Sequence, residues 1–145
     1  MSKEAGFQLA KISTNEFAIL EDAFKGKAEV KINTNSKFGV DFNERVIACI
    51  LEFQYLEGES VFIVLKMTSF YRMNDTLWNQ IYNSDKKELV ISKDLQMHLA
   101  VLSIGTARGI IHAKTEGTKF NQFPLPTINV TELIKKDETL QNKAK

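Results

Sequence analysis

The sequence is short of the residues that staple or interrupt a small fold: among 145 residues it holds one cysteine, two prolines and seven glycines. The lone Cys49 cannot form an internal disulfide, and its place inside an apolar run reads as a small core residue in a reducing compartment. An excess of one charge is missing as well. Nineteen basic residues stand against eighteen acidic ones, a net charge of +1, so no global field draws in nucleic acid or anionic lipid and any partner is recognised locally. Long hydrophobic runs are also lacking. The opening MSKEAGFQLAKIS has no apolar stretch of signal-peptide type, and the greasiest segment, Leu99 to Ala107, is interrupted by Ser103, Gly105 and Thr106 and is too short to span a bilayer. Cytoplasmic residence is the expectation by elimination.

Catalytic and metal chemistry are thinly represented. There is no G-x-S-x-G, no P-loop, no G-x-G-x-x-G and no cysteine pair. His98 and His112 are the only histidines; fourteen residues apart on one helix they are separated by about 21 Å, too far to share a metal within a subunit. Asp94 with His98 and His112 with Glu116 have i, i+4 spacing, which reads as surface pairing. Lys86-Lys87 and Lys135-Lys136 read as solvated turn and helix-end charges, and basic and aromatic residues do not interleave as a nucleic-acid stacking surface requires. The chain is therefore expected to be no enzyme, with no cofactor and no metal site.

What is present is a globular composition, 43% hydrophobic and 26% charged, in a chain long enough to bury a core as one domain. Residues 1–137 are expected to form that domain, with 138–145, polar but for Leu140 and Ala144, as a flexible tail. The first half has strand periodicity. Ala28, Val30 and Ile32 alternate with Glu29, Lys31 and Asn33, and two later apolar runs flank the turn Glu57-Gly58-Glu59-Ser60 as a hairpin. Ile47, Cys49, Leu51, Phe53 and Tyr55 share one face of its first arm; Val61, Ile63, Leu65 and Met67 share one face of its second. Phe7 and Leu9 fall out of phase with Ile12, which a bulge near Lys11 explains.

The second half has helical periodicity. Asp75 or Thr76 caps a short helix bearing Leu77 and Ile81, flanked by Trp78 and Tyr82 and ended by the Asn83-Ser84-Asp85 turn. From Ser92 to about Lys114 the series Leu95, Leu99, Leu102 and Met97, Val101, Ile104, Ile111 supply two apolar stripes on a helix of about 33 Å. A helix apolar on two sides needs two covers, and a second subunit is the simplest second one. Leu99 and Leu102, with the small Gly105 and Gly109, are the candidate interface. Beyond Gly117 the strip TKFNQFPLPTIN is too apolar for a solvated linker, and Asn129 with Glu132 starts a terminal helix carrying Val130, Leu133 and Ile134.

The segment from Ala107 to Leu133 resembles the C-terminal half of the SecB export chaperones. Ala107, Arg108 and Ile111 match that family's Ala-Arg-x-x-Ile helix end, and Phe120, Leu125, Ile128, Asn129 and Leu133 follow at compatible spacing. Upstream, Phe7, Gln8, Leu9 and Ile12, the strand at 29–32 and the hairpin are similar in order and length. The resemblance implies an α+β fold, a four-stranded antiparallel sheet packed with one long helix and shorter helices, assembled as a homotetramer, a dimer of dimers. It implies an ATP-independent holdase that binds unfolded or nascent polypeptides, among them preproteins for Sec export. The client groove it implies maps to Phe24, Val30 and Ile32, to Phe120, Phe123 and Leu125, and to Leu133 and Ile134. Export members present carboxylates to the SecA motor; Glu16 retains one, while Leu20 and Val64 stand where others belong, and Pro126 sits one place late. Two alternatives stay open: a SecB-like chaperone dedicated to one partner such as an antitoxin, and a small α+β enzyme or ligand carrier.

Overall fold

The computed structural model describes residues 6–143. Four long strands open the chain: β1 Phe7–Ile19, β2 Val30–Asp41, β3 Val46–Glu57 and β4 Ser60–Met73. They form one antiparallel sheet in the order β1-β4-β3-β2. Gly58 at φ 61 makes the tight β3–β4 turn, a left-handed geometry that favours glycine. Helix α1 (Asp75–Ile81), the short strands β5 (Tyr82–Asn83) and β6 (Glu88–Ile91), the long helix α2 (Lys93–Thr115), the short α3 (Val130–Leu133) and β7 (Glu138–Gln141) complete the chain. This is the α+β architecture expected: a four-stranded antiparallel sheet packed with one long helix and shorter ones.

The core forms where the alternation of the hairpin predicts. Ile47, Cys49, Leu51, Phe53 and Tyr55 of β3 are fully buried, opposite Tyr71, Ser69, Met67, Leu65 and Ile63 of β4. Removing each large side chain from water is worth about 1.5–3 kcal/mol. Helix α2 covers this face with Leu99, Ala100, Ser103, Ile104, Ala107 and Ile111. The Tyr71 hydroxyl lies 2.8 Å from Ser103 Oγ and donates to the Leu99 carbonyl at 3.3 Å, which fixes the helix on the sheet. Burial pushes the Cys49 thiol up to about 11, so it stays a neutral packing group.

Several local expectations shift. Ala10 is the extra residue in β1, next to the expected Lys11, and Asn15 is a second one. Phe62 is an extra residue in β4, so Val61 opposes Leu56 on the outer face, while Phe62 and Ile63 are both buried. The cap of α1 is Asn74, one residue early, its side chain accepting from Leu77 N at 2.8 Å. Helix α2 is capped by Ser92, whose Oγ accepts from Leu95 N.

The expected flexible tail is corrected over 138–141. Strand β7 pairs with the open side of β6, Leu140 opposite Leu89, and Asn142 N donates to the Lys87 carbonyl at 2.8 Å. A free strand edge supplies backbone partners to a polar segment that has one apolar residue to bury, and sequence periodicity does not register that. The last two residues of the expected tail, Ala144 and Lys145, lie outside the described residues.

Candidate polypeptide-binding groove

Among the described residues strand β2 pairs only with β3, without a register shift, from Val30 opposite Glu57 to Asp41 opposite Val46. Gly58 N donates to the carbonyl of Glu29 directly across from it at 3.4 Å, so odd-numbered residues exchange the ladder bonds with β3. Val30, Ile32, Thr34 and Ser36 therefore turn their N–H and C=O groups to the outer edge. Among the described residues no hydrogen bond reaches those groups. The side chains of the same four residues are half-buried on the face that α2 covers.

Alongside this edge runs a groove of about 580 Å³, lined by Val30, Ile32 and Thr34 on one side and Pro126, Ile128 and Leu133 on the other. It is followed by a second hollow of about 310 Å³ between Ser36–Phe38 and the segment 133–136. Arg108 holds the far wall, donating from Nε to the Leu125 carbonyl at 2.7 Å and from Nη2 to the Pro126 carbonyl at 2.9 Å. That gives a physical role to the arginine of the Ala-Arg-x-x-Ile block. Asn129 caps α3 as its sequence context predicts, its Oδ1 accepting from Thr131 N. Ile134 closes the core beneath.

Near the start of β2 lies an aromatic cluster. Phe62, the extra residue of β4, points inward, where its ring centroid is 4.8 Å from Phe24, 6.0 Å from Phe120 and 5.6 Å from Phe123. Phe24 also meets Phe123 nearly edge-on at 5.4 Å. Such pairs add about 0.5–1.5 kcal/mol beyond burial. The loop that carries Phe24 is clipped by Glu57. Its carboxylate accepts from the backbone N–H of Lys25 at 2.6 Å, Lys27 at 2.7 Å and Ala28 at 3.3 Å. These donors, Lys25 foremost, hold the Glu57 carboxyl below its ordinary 4.5. A loop and a strip thus flank the groove, each tied through backbone atoms by one charged side chain.

The residues expected in the groove divide by burial. Val30, Ile32 and Leu133 line it, Ile134 borders its continuation, and Phe24 and Phe123 are half-buried in the aromatic cluster. Phe120 and Leu125 are buried in the core, the floor on which the strip rests. Sequence reasoning missed Phe62, because a one-residue bulge is invisible to a strict period of two. It also missed Glu57, which reads as a turn residue and is 6% exposed.

The interface residues divide too. Leu99 is buried against its own sheet, so it is withdrawn from the candidate surface. Leu102 is 44% exposed, and a Cβ built on Gly105 or Gly109 meets nothing within 4 Å. Phe7 of β1 meets His98 of α2 at 5.2 Å, and Leu102, Gly105 and Gly109 continue the His98 stripe at i+4, i+7 and i+11. The neighbouring β1 exposes Leu9 (46%) and Ile12 (44%), so an apolar flank runs over both elements. Glu16 is exposed on the outer sheet face, directly opposite Lys66, and Leu20 is exposed beyond it. His112 pairs with Glu116 at 3.2 Å on the surface, as its spacing predicts.

No helix among the described residues is long and apolar enough to cross a membrane. No protein-family model matches the chain, and no curated protein matches it in sequence. Solved structures that align with it include the Mycobacterium tuberculosis SecB-like chaperone Rv1957, in complex with a ChAD peptide from the Rv1956 HigA1 antitoxin. That alignment has a TM-score of 0.49 and 9% identity, over 86% of this chain and 92% of that one. A Streptococcus agalactiae protein of unknown function aligns with a TM-score of 0.38 and 12% identity, over 85% of this chain and 96% of that one.

Proposed function

We propose that this chain is an ATP-independent polypeptide-binding chaperone of SecB type, holding unfolded segments in the groove beside β2. The observation that carries the proposal is the open β2 edge, where backbone groups without partners lie next to apolar lining at Val30, Ile32, Ile128 and Leu133. An extended client adds a strand there, its main chain giving sequence-tolerant affinity and its alternate side chains entering the groove. Three or four buried client side chains contribute about 8 kcal/mol gross before ordering costs, so a single groove binds weakly. Assembly through the Leu102–Gly109 flank into a homotetramer makes successive contacts intramolecular and supplies avidity.

The test is suppression of aggregation of a denatured client. Phe123→Asp with Leu133→Asp, at half-buried positions, is expected to leave a folded protein with little holdase activity. A folded double variant as active as the parent overturns the groove assignment.

A second reading narrows the client to one dedicated partner rather than preproteins for export. Glu16 faces Lys66 across the β1–β4 pair, and an apolar Leu20 stands where a SecA-facing carboxylate is expected. Both features weaken an acidic SecA surface. Affinity capture from the native host separates the two: SecA among many exported proteins supports export, and one stoichiometric small protein supports dedication.

A further inference from the structure

Charge changes along the β2 groove. At the apolar stretch, beside Val30 and Ile32, the one charged lining residue is the carboxylate Glu132. The following hollow is lined by Lys37, Lys135 and Lys136, with Glu138 as the one acid in its lining. Among the described residues none of these lysines has a carboxylate at ion-pair distance. Nor does the lysine pair ride on a loose helix end. The Gln96 amide, buried under the segment, donates to both the Ile91 and Lys136 carbonyls at 2.9 Å, and Asp137 accepts from Lys93 N at 2.8 Å. The backbone bearing the two ammonium groups is thereby fixed to the start of α2.

We infer that the β2 groove selects an extended polypeptide segment in which acidic residues precede an apolar stretch, the acids lying at Lys37, Lys135 and Lys136. The inference rests on the groove reading above and adds a client chemistry to it. The order follows from strand pairing. An added strand runs most stably antiparallel to its neighbour, so the client's N-terminal side lies beside Ser36–Phe38 and its C-terminal side beside Val30. Unpaired ammonium groups at a rim act on encounter and selectivity more than on bulk affinity, and they weaken with salt.

The experiment uses fluorescence anisotropy with the full chain and labelled peptides of about twelve residues, at about 3.4 Å per residue long enough to span both hollows. The peptides share one apolar C-terminal half and differ in three N-terminal flanking residues: Asp/Glu, Ser or Lys. The parent is expected to bind the acidic-flanked peptide about tenfold tighter than the lysine-flanked one at low salt, with the ratio shrinking at high salt. K135E with K136E is expected to abolish or invert the ratio, and K135Q with K136Q to bring it close to one. Equal binding of all three peptides, a preference for the lysine flank, or a preference that survives both variants overturns the inference and leaves the groove reading standing. Failure of every peptide to bind, the serine-flanked one included, overturns both.

Discussion

The main sheet has two open edges, and the chain treats them differently. An exposed strand edge is a template for unwanted pairing, and β-bulges are one defence against it. Strand β1 is bulged twice, at Ala10 and Asn15, and at the second bulge Asn15 Oδ1 accepts from Thr68 Oγ1 of the neighbouring strand at 2.7 Å. Each interruption breaks the ladder and twists the strand away from a would-be partner. Strand β2 has no interruption in its pairing with β3. Its exposed side chains are polar, Lys31, Asn33, Asn35 and Lys37, but its outward backbone is regular and, from Val30 to Ser36, without a partner among the described residues. The defended edge carries an apolar flank suited to a fixed partner surface, and the undefended one borders a groove. An edge left regular beside apolar lining suits the binding role proposed for it; the same edge without a groove would be an aggregation hazard.

The sharpest way to break that comparison is to place proline at adjacent positions of β2. Asn33 gives its N–H to the β3 ladder and Thr34 turns its N–H to the groove. Asn33→Pro is expected to lower stability by about 1–3 kcal/mol, the cost of an orphaned ladder acceptor. Thr34→Pro loses no ladder bond and is expected to cost under about 1 kcal/mol of stability, yet to weaken client binding about tenfold, or 1.4 kcal/mol. Urea unfolding and peptide anisotropy on the two variants measure both effects. If the two prolines behave alike in both measurements, the odd–even division of the edge is wrong.

This division also shows how much of the molecule was legible in the sequence. The hairpin core, the bounds of α2 and the caps at Ser92 and Asn129 follow from period and capping chemistry, because those signals are local. The bulge at Phe62 was not legible: one extra residue reverses the facing of everything on one side of it, and either phase of an all-apolar run looks acceptable. Glu57 was hidden for the opposite reason. Its three donors are backbone N–H groups about thirty residues away, and backbone groups leave no trace in a sequence. Strand β7 failed similarly, since β6 offers it an edge and not a motif.

Glu57 separates the two flanks of the β2 groove by pH. In the folded chain its carboxyl lies below the ordinary 4.5 because Lys25, Lys27 and Ala28 donate to the ionised form. Its stabilising contribution is complete above about pH 4.5, where the unfolded chain is ionised too, and is lost as pH falls through the lower folded value. Glu57→Gln is therefore expected to lower the urea midpoint at neutral pH, with the gap to the parent closing on acidification below about pH 4.5. A gap independent of pH would place the effect in packing and not in the carboxylate clip. Acidification should loosen the Phe24 loop before it disturbs the Arg108-held strip, which is tied to backbone carbonyls and uses no carboxylate.

The smallest change tests the β1 side of the molecule. Gly105 lies in the interior of α2 with open space where a Cβ would point, so in a single chain alanine relieves the entropic cost of glycine in a helix. Gly105→Ala should then stabilise the dilute protein by about 0.4–1 kcal/mol. If a second copy brings its backbone against the stripe of Leu102, Gly105 and Gly109, the same methyl group stands in the way. Assembly weakens although the fold is firmer, and sedimentation velocity across a dilution series, set beside urea unfolding, reads the two effects with opposite signs. Ile12→Ser on the adjacent strand should weaken assembly without the stabilisation, because it removes apolar flank and leaves the helix unchanged. A Gly105→Ala protein that is more stable and assembles as the parent does would show that the flank is not closed by backbone contact. The two glycines would then need another explanation than a partner's approach.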